Sequence, residues 1–134
     1  MVKPLVVEIK GPGHHERSEF ARSVVNAIAN LGKVVAVEAD LRPRLAADLT
    51  EMLGVGAKEV LLYAKGMMAK VVLGPEMATR SDLERLHDPD VEVIVRLVPS
   101  DGVARASIGE NQDKALEALI SQALEEDQIN MENS

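Results

Sequence analysis

Residues 5–18, Leu5-Val6-Val7-Glu8-Ile9-Lys10-Gly11-Pro12-Gly13-His14-His15-Glu16-Arg17-Ser18, decide the fold, together with the change of period just beyond them. Leu5 to Ile9 is nearly continuous in apolar character, as expected of a strand buried on both faces. Gly11-Pro12-Gly13 then forces a turn. From Ser18 the period becomes helical: Phe20, Val24, Ile28 and Leu31, with Val25 and Ala27 beside them, form one stripe, and Gly32 follows where a C-terminal cap belongs. The segment therefore reads as strand, turn and helix.

Outward from this unit, Val34 to Val37 reads as a second strand. Leu41-Arg42-Pro43 opens a second helix with Pro in its first turn, Leu45, Leu49, Met52 and Leu53 share a face, and Gly54 stops it. Val60 to Tyr63 and Lys70 to Leu73 are short strands about Lys65-Gly66, which is either a hairpin turn or a longer loop. Ser81 to Leu86 reads as a short helix ending before Asp88-Pro89, and Val91 to Val98 as a fifth strand. Pro99-Ser100-Asp101-Gly102 breaks that strand, and the stretch to Asn111, without clear period, reads as a loop. Helical spacing returns from Asp113 through Leu116, Leu119, Ile120, Ala123 and Leu124.

This alternation predicts an α/β fold, a three-layer and mostly parallel sheet of about four to six strands with flanking helices. No repeat or linker composition appears, so residues 1–124 read as one domain and residues 125–134 as an acidic, flexible tail.

Composition narrows the function. Apolar residues make up 46% and charged residues 28%, which is globular and too hydrophobic for a disordered chain. Phe20 and Tyr63 are the only aromatic side chains, leaving little for stacking on bases, and the net charge of −7 opposes attraction to nucleic acid or anionic lipid. Without cysteine there is no disulfide, thiolate nucleophile or Cys-ligated zinc. No leader pattern and no apolar run approaching the ~20 residues of a membrane span is found, so a cytoplasmic protein without membrane or nucleic-acid partners is expected.

Gly11 to Ser18 occupies the place of a Walker A loop, G-x-x-x-x-G-K-[ST], in which backbone N–H groups and the Lys hold phosphates and the hydroxyl reaches magnesium. Gly11 matches the first position and Ser18 the last, but Glu16 replaces the second Gly and Arg17 the Lys. Gly11, Gly13, Arg17 and Ser18 are thus the candidates for holding a phosphate or other anion. Glu16 and Glu19 place carboxylates at a helix N-terminus that would otherwise attract an anion, and so oppose a triphosphate. His14-His15 lacks the spacing of a metal site and His87 lies far off in sequence, so no metal is expected. Met67-Met68 reads as core filling, with a partner groove as the alternative, and Asp82, Glu84, Asp88, Asp90 and Glu92 read as a solvated face.

With Arg17 set on the template Lys, the helix from Phe20 to Leu31, the Leu31-Gly32-Lys33 turn and the strand Val34 to Val37 follow without a gap. This stretch resembles the SIMIBI class of P-loop NTPases, and Glu38-Ala39-Asp40-Leu41-Arg42-Pro43 looks like the D-A-D-L-R-x-P sequence of MinD-like ATPases and bacterial tyrosine kinases. Gly56-Ala57-Lys58-Glu59-Val60-Leu61-Leu62, with Met68-Ala69-Lys70-Val71-Val72, is more similar to the molybdopterin-guanine dinucleotide biosynthesis protein MobB. The resemblance implies a P-loop NTPase-like fold, ATP or GTP with Mg as the class cofactor, and a homodimer or protein partner. It gives Asp40 a ligand or magnesium role, beside an ordinary role as helix cap. Where the class carries a Walker B acid this chain has Arg96-Leu97-Val98-Pro99-Ser100-Asp101, so weak or no NTP hydrolysis is expected of a binding or accessory domain. The alternatives are a working ATP- or GTP-binding accessory protein of molybdenum cofactor biosynthesis and a structural domain in an assembly.

Overall fold

The computed structural model describes residues 4–39, 51–72, 74, 79–109, 113–126 and 131–133. The chain separates into two compact units, Met1–Ala39 with His87–Ser134, and Asp40–Leu86. Neither junction, Glu38-Ala39-Asp40-Leu41 nor Leu86-His87-Asp88, has linker composition, which is why the sequence places no boundary there.

The first unit is an α/β layer pair. Its strands are β1 (Leu5–Gly11), β2 (Val35–Glu38), β5 (Val93–Pro99), β6 (Arg105–Ile108) and β7 (Met131–Asn133), and its helices are α1 (His14–Asn30) and α3 (Lys114–Glu126). The strand order is β2-β5-β1-β6-β7. β2, β5 and β1 run parallel, β6 is antiparallel to β1, and β7 is parallel to β6. The sheet is therefore mixed, with its reversal at β1–β6, where a mostly parallel sheet was expected.

That reversal follows from a strand the sequence reading treated as loop. Residues 105–108 are only four long and open on Arg, yet Ala106 and Ile108 alternate onto the core face and are 0% and 1% exposed. Two apolar positions are too few to register as a period. At the C-terminus, the span read as a tail holds the end of α3 and the short strand β7.

The core lies on one sheet face. Leu5, Val7 and Ile9 of β1 and Val93 and Val95 of β5 cluster with Ala21, Val24, Ala27 and Ile28 of α1, Ala106 and Ile108 of β6, and Leu116, Ile120 and Leu124 of α3. Each fully buried Leu, Ile or Val contributes roughly 1.5–3 kcal/mol relative to exposure, so this cluster dominates the unit's stability. β1 is not buried alike on both faces: Val6, Glu8 and Lys10 on the opposite side are half-buried. α1 begins at His14, four residues before the expected start at Ser18, and ends at Asn30 with Leu31 as its C-cap, the Gly32 N–H bonded to the Ala29 carbonyl at 2.9 Å.

The second unit holds β3 (Glu59–Ala64), β4 (Met67–Val72) and α2 (Arg80–Leu86). Residues 51–54 are helical, so the helix ends at Gly54 as the sequence predicts, and the residue that caps it stands two positions on, at Gly56. The Gly56 N–H bonds Leu53 O at 3.2 Å and the Ala57 N–H bonds Met52 O at 3.2 Å, a Schellman pair that needs φ +121° at Gly56. The rest of the expected second helix lies outside the described residues. β3 and β4 form an antiparallel hairpin about Lys65-Gly66, with Gly66 at φ +82° making the tight turn. α2 opens with a reciprocal cap: the Asp82 N–H bonds Thr79 Oγ1 at 3.2 Å, and Asp82 Oδ2 accepts the Thr79 N–H at 2.8 Å. Among the described residues no helix is long and apolar enough to cross a membrane.

Candidate functional site

β1, β5 and β2 run parallel, so their C-terminal ends share one edge of the sheet, the edge at which open α/β sheets present a ligand crevice. Four of the five candidate residues stand on the unit that leaves this edge. Gly11 is the buried last residue of β1 and Gly13 the N-cap of α1, while Arg17 and Ser18 follow on the helix. Asp40 lies outside the described residues.

Only Pro12 and Gly13 separate strand from helix. The positions that would wrap a phosphate in a Walker A loop therefore include His14 and His15, already helical. Gly13 is extended, at φ −107° and ψ 150°, and supplies no side-chain cap. The first-turn N–H groups thus form the usual concentration of unpaired donors at a helix start. Glu16 folds back over it: its carboxyl carbon and Oε1 lie 3.3 Å from where a Gly13 Cβ would be. The protein's own carboxylate stands at the positive end of the helix.

Arg17 is also committed. Its Nη1 donates to Gly11 O at 2.8 Å, and the same carbonyl accepts the Ser100 N–H at 3.1 Å. The end of β1 is in this way tied to α1 and to the turn after β5. Gly11 has no room to spare, since a Cβ there would lie 3.2 Å from Arg17 Cγ and 3.3 Å from Ala104 Cβ. Asp101, next after Ser100, is exposed. His15 makes a solvent-exposed contact of 3.4 Å with Glu19 one helical turn on.

The structure adds a second constellation, on the sheet face opposite the core. Glu38 of β2, Arg96 of β5, Glu8 of β1 and Ser107 of β6 stand in register across the sheet. Arg96 Nε donates to Glu38 Oε1 at 3.0 Å and its Nη1 lies 3.8 Å from Glu8 Oε2. His87 Nε2 meets Glu38 Oε2 at 2.6 Å, the two side chains being 17% and 10% exposed. Sequence reasoning missed this row because it dismissed His87 as distant and took Glu38 and Arg96 only as motif positions. The available signal was Glu8, a charge inside the strand Leu5 to Ile9 read as nearly continuous in apolar character. With both carboxylate oxygens engaged, Glu38 is a fixed acceptor binding β2, β5 and the chain at His87 together. Among the described residues no group of three or more His, Cys, Asp or Glu side chains is placed to hold a metal ion.

No protein-family model matches the chain, and no curated protein matches its sequence.

Proposed function

We propose that this chain is a degenerate P-loop-like domain of the SIMIBI kind, similar in plan to MobB and MinD-like proteins, that binds a protein partner or a small anionic ligand at the strand ends and hydrolyses NTPs weakly or not at all. The three-layer plan of that class belongs to the same proposal. One observation carries the reading: at the parallel strand ends, the side chains at the start of α1 that could meet an anion are engaged by the protein itself. Glu16 covers Gly13, and Arg17 is bonded to Gly11 O. A triphosphate would have to displace both side chains and lengthen a two-residue turn. The parallel pairing of β1 with β5 supports the assignment of the edge, and Arg96 on β5, bonded to Glu38, supports the absence of hydrolysis.

The test is equilibrium titration of ATP and GTP with and without magnesium. No magnesium-dependent binding below the millimolar range is expected. Sub-millimolar, magnesium-dependent affinity would overturn the reading in favour of a working nucleotide-binding accessory protein.

A further inference from the structure

β5 and β6 are joined by residues 100–104, among which Asp101, Gly102 and Val103 bend outside any helix or strand and are exposed. The sequence holds a single Asp-Gly pair, Asp101-Gly102, and no Asn-Gly. The turn itself calls for that glycine, since Gly102 stands at φ +99°, where a side chain is strained. An aspartate carboxyl closes a five-membered ring on the next residue's amide nitrogen when that nitrogen is neither shielded nor hydrogen-bonded. The described aspartates differ on this point. After Asp82, the Leu83 N–H is bonded to Thr79 O at 3.1 Å, and the Asp82 carboxylate is held by Thr79 and Arg85. Asp88 precedes Pro89, which has no N–H. After Asp90, the Val91 N–H is bonded to Asp88 O at 3.2 Å. Asp113 Oδ1 accepts the Leu116 N–H at 3.0 Å, and its next residue, Lys114, is already in α3. At Gly102, among the described residues, no hydrogen bond holds the N–H, and apart from its chain neighbours no atom lies within 4 Å of where a Cβ would stand. Ser100 Oγ donates to Asp101 O at 3.1 Å, the carbonyl of the same peptide bond.

We propose that Asp101-Gly102 is a site of self-modification, at which Asp101 converts to isoaspartate through a succinimide. The Gly102 nitrogen gives up its proton and attacks Asp101 Cγ. The N–Cγ bond forms, a Cγ–O bond breaks, and water leaves. Water then adds to a carbonyl of the ring. Opening at Cγ restores aspartate. Opening at the backbone carbonyl carbon breaks its bond to the Gly102 nitrogen, so that the chain runs through Cβ and Cγ and a carboxylate is left on Cα. The water lost is regained, and nothing is oxidised or reduced. The Ser100 hydroxyl assists, because a donor on Asp101 O makes the adjoining N–H more acidic and supports the negative charge that develops on that oxygen when water adds. The product is the substrate of a methyltransferase that recognises isoaspartate. Its extra backbone atom enters the link whose first residue, Ser100, holds Gly11 O, and the reaction does not depend on any ligand at the strand ends.

The test is to age the native chain in mildly alkaline buffer and map its aspartates. Isoaspartate should accumulate at residue 101, read as methyl transfer by an isoaspartate methyltransferase and as loss of cleavage there by an aspartate-specific protease at unchanged mass. A transient form lighter by a single water should precede it. Asp101→Glu, which could close only a six-membered ring, should lose the signal. Asp101→Asn, which leaves the Gly102 turn intact, should gain it, because an uncharged amide expels ammonia more readily than a carboxylate expels water. Ser100→Ala should slow the reaction of the folded chain and not that of the chain in urea, where the Ser100 bond is gone. The proposal is overturned if the folded chain stays unmodified at 101 while the chain in urea is methylated there, since the fold would then shield the link. It is overturned equally if Asp101→Glu labels as strongly as the native chain, or if the methyl groups fall on other aspartates.

Discussion

At the scale of single residues, the end of β1 is governed by how little space surrounds Gly11 and by what its carbonyl accepts. A methyl group at Gly11 would press on Arg17 Cγ and Ala104 Cβ, neither able to move freely because Arg17 is bonded to Gly11 O and Ala104 leads into β6. Gly11→Ala should cost about 1–3 kcal/mol, the usual cost of overpacking, read as a lower urea midpoint at unchanged slope. The anion site can be probed by repair. Glu16→Gly removes the resident carboxylate and Arg17→Lys replaces a committed fork with a compact charge, so the double variant should gain triphosphate affinity beyond the sum of the single changes. A coupling of roughly 0.5–3 kcal/mol is expected from neighbours sharing one ligand. Titrating labelled ATP against the four proteins checks this, and equal affinity throughout would mean that the two-residue turn, not the side chains, excludes phosphate.

At the scale of elements, α2 shows how a short helix is held without a buried face. It has seven residues, none buried, and depends on its cap. The Thr79 backbone N–H and hydroxyl, followed by the Arg85 guanidinium, hold Asp82 below the ordinary carboxylate range. A carboxyl with a depressed folded pKa contributes stability that is present above its unfolded value near 3.8 and is lost as pH falls through the lower folded value. The Thr79 and Asp82 amide resonances should accordingly titrate together in acid, and Asp82→Asn should abolish that titration while leaving the helix capped less well at neutral pH. Elements with a long apolar period were legible in the sequence: β1, α1, β5 and α3, whereas at Lys65-Gly66 the sequence leaves a hairpin turn and a longer loop as alternatives, and the pairing of β3 with β4 decides for the hairpin. What failed was local. The start of α1 was placed at Ser18 because His14 to Arg17 carry no apolar stripe, and β6 was missed because its strand identity comes from pairing with β1 and not from its own four residues.

At the scale of the whole molecule, the periods of β1 and α1 revealed which side chains make the core, but not which strands lie together, because register and order are long-range properties. The row Glu38, Arg96, Glu8 and Ser107 exists only once β2, β5, β1 and β6 are laid side by side, so no motif spacing could have displayed it. The same long-range closure makes the last helix indispensable. Leu116, Ile120 and Leu124 of α3 join the cluster built on Leu5, Val7 and Ile9, and Ile120 and Leu124 are 0% exposed. At roughly 1.5–3 kcal/mol for each buried side chain, their loss removes an amount comparable with the ~5–15 kcal/mol by which a domain of this size is stable. Truncation after Gly109 deletes α3 and also the β7 partner of β6, and should abolish cooperative unfolding of the first unit. Because a truncated chain that fails to fold is a blunt result, two point variants separate packing from mere chain loss. Ile120→Ala should cost about 2–5 kcal/mol through the cavity it leaves. Leu119→Ala, one residue away on the same helix but 45% exposed, should cost much less, within about 1 kcal/mol. Urea unfolding of the two side by side checks the orientation of α3: equal losses would mean that the helix does not present Ile120 to the sheet, and a full thermal midpoint in the truncated chain would remove α3 from the core altogether.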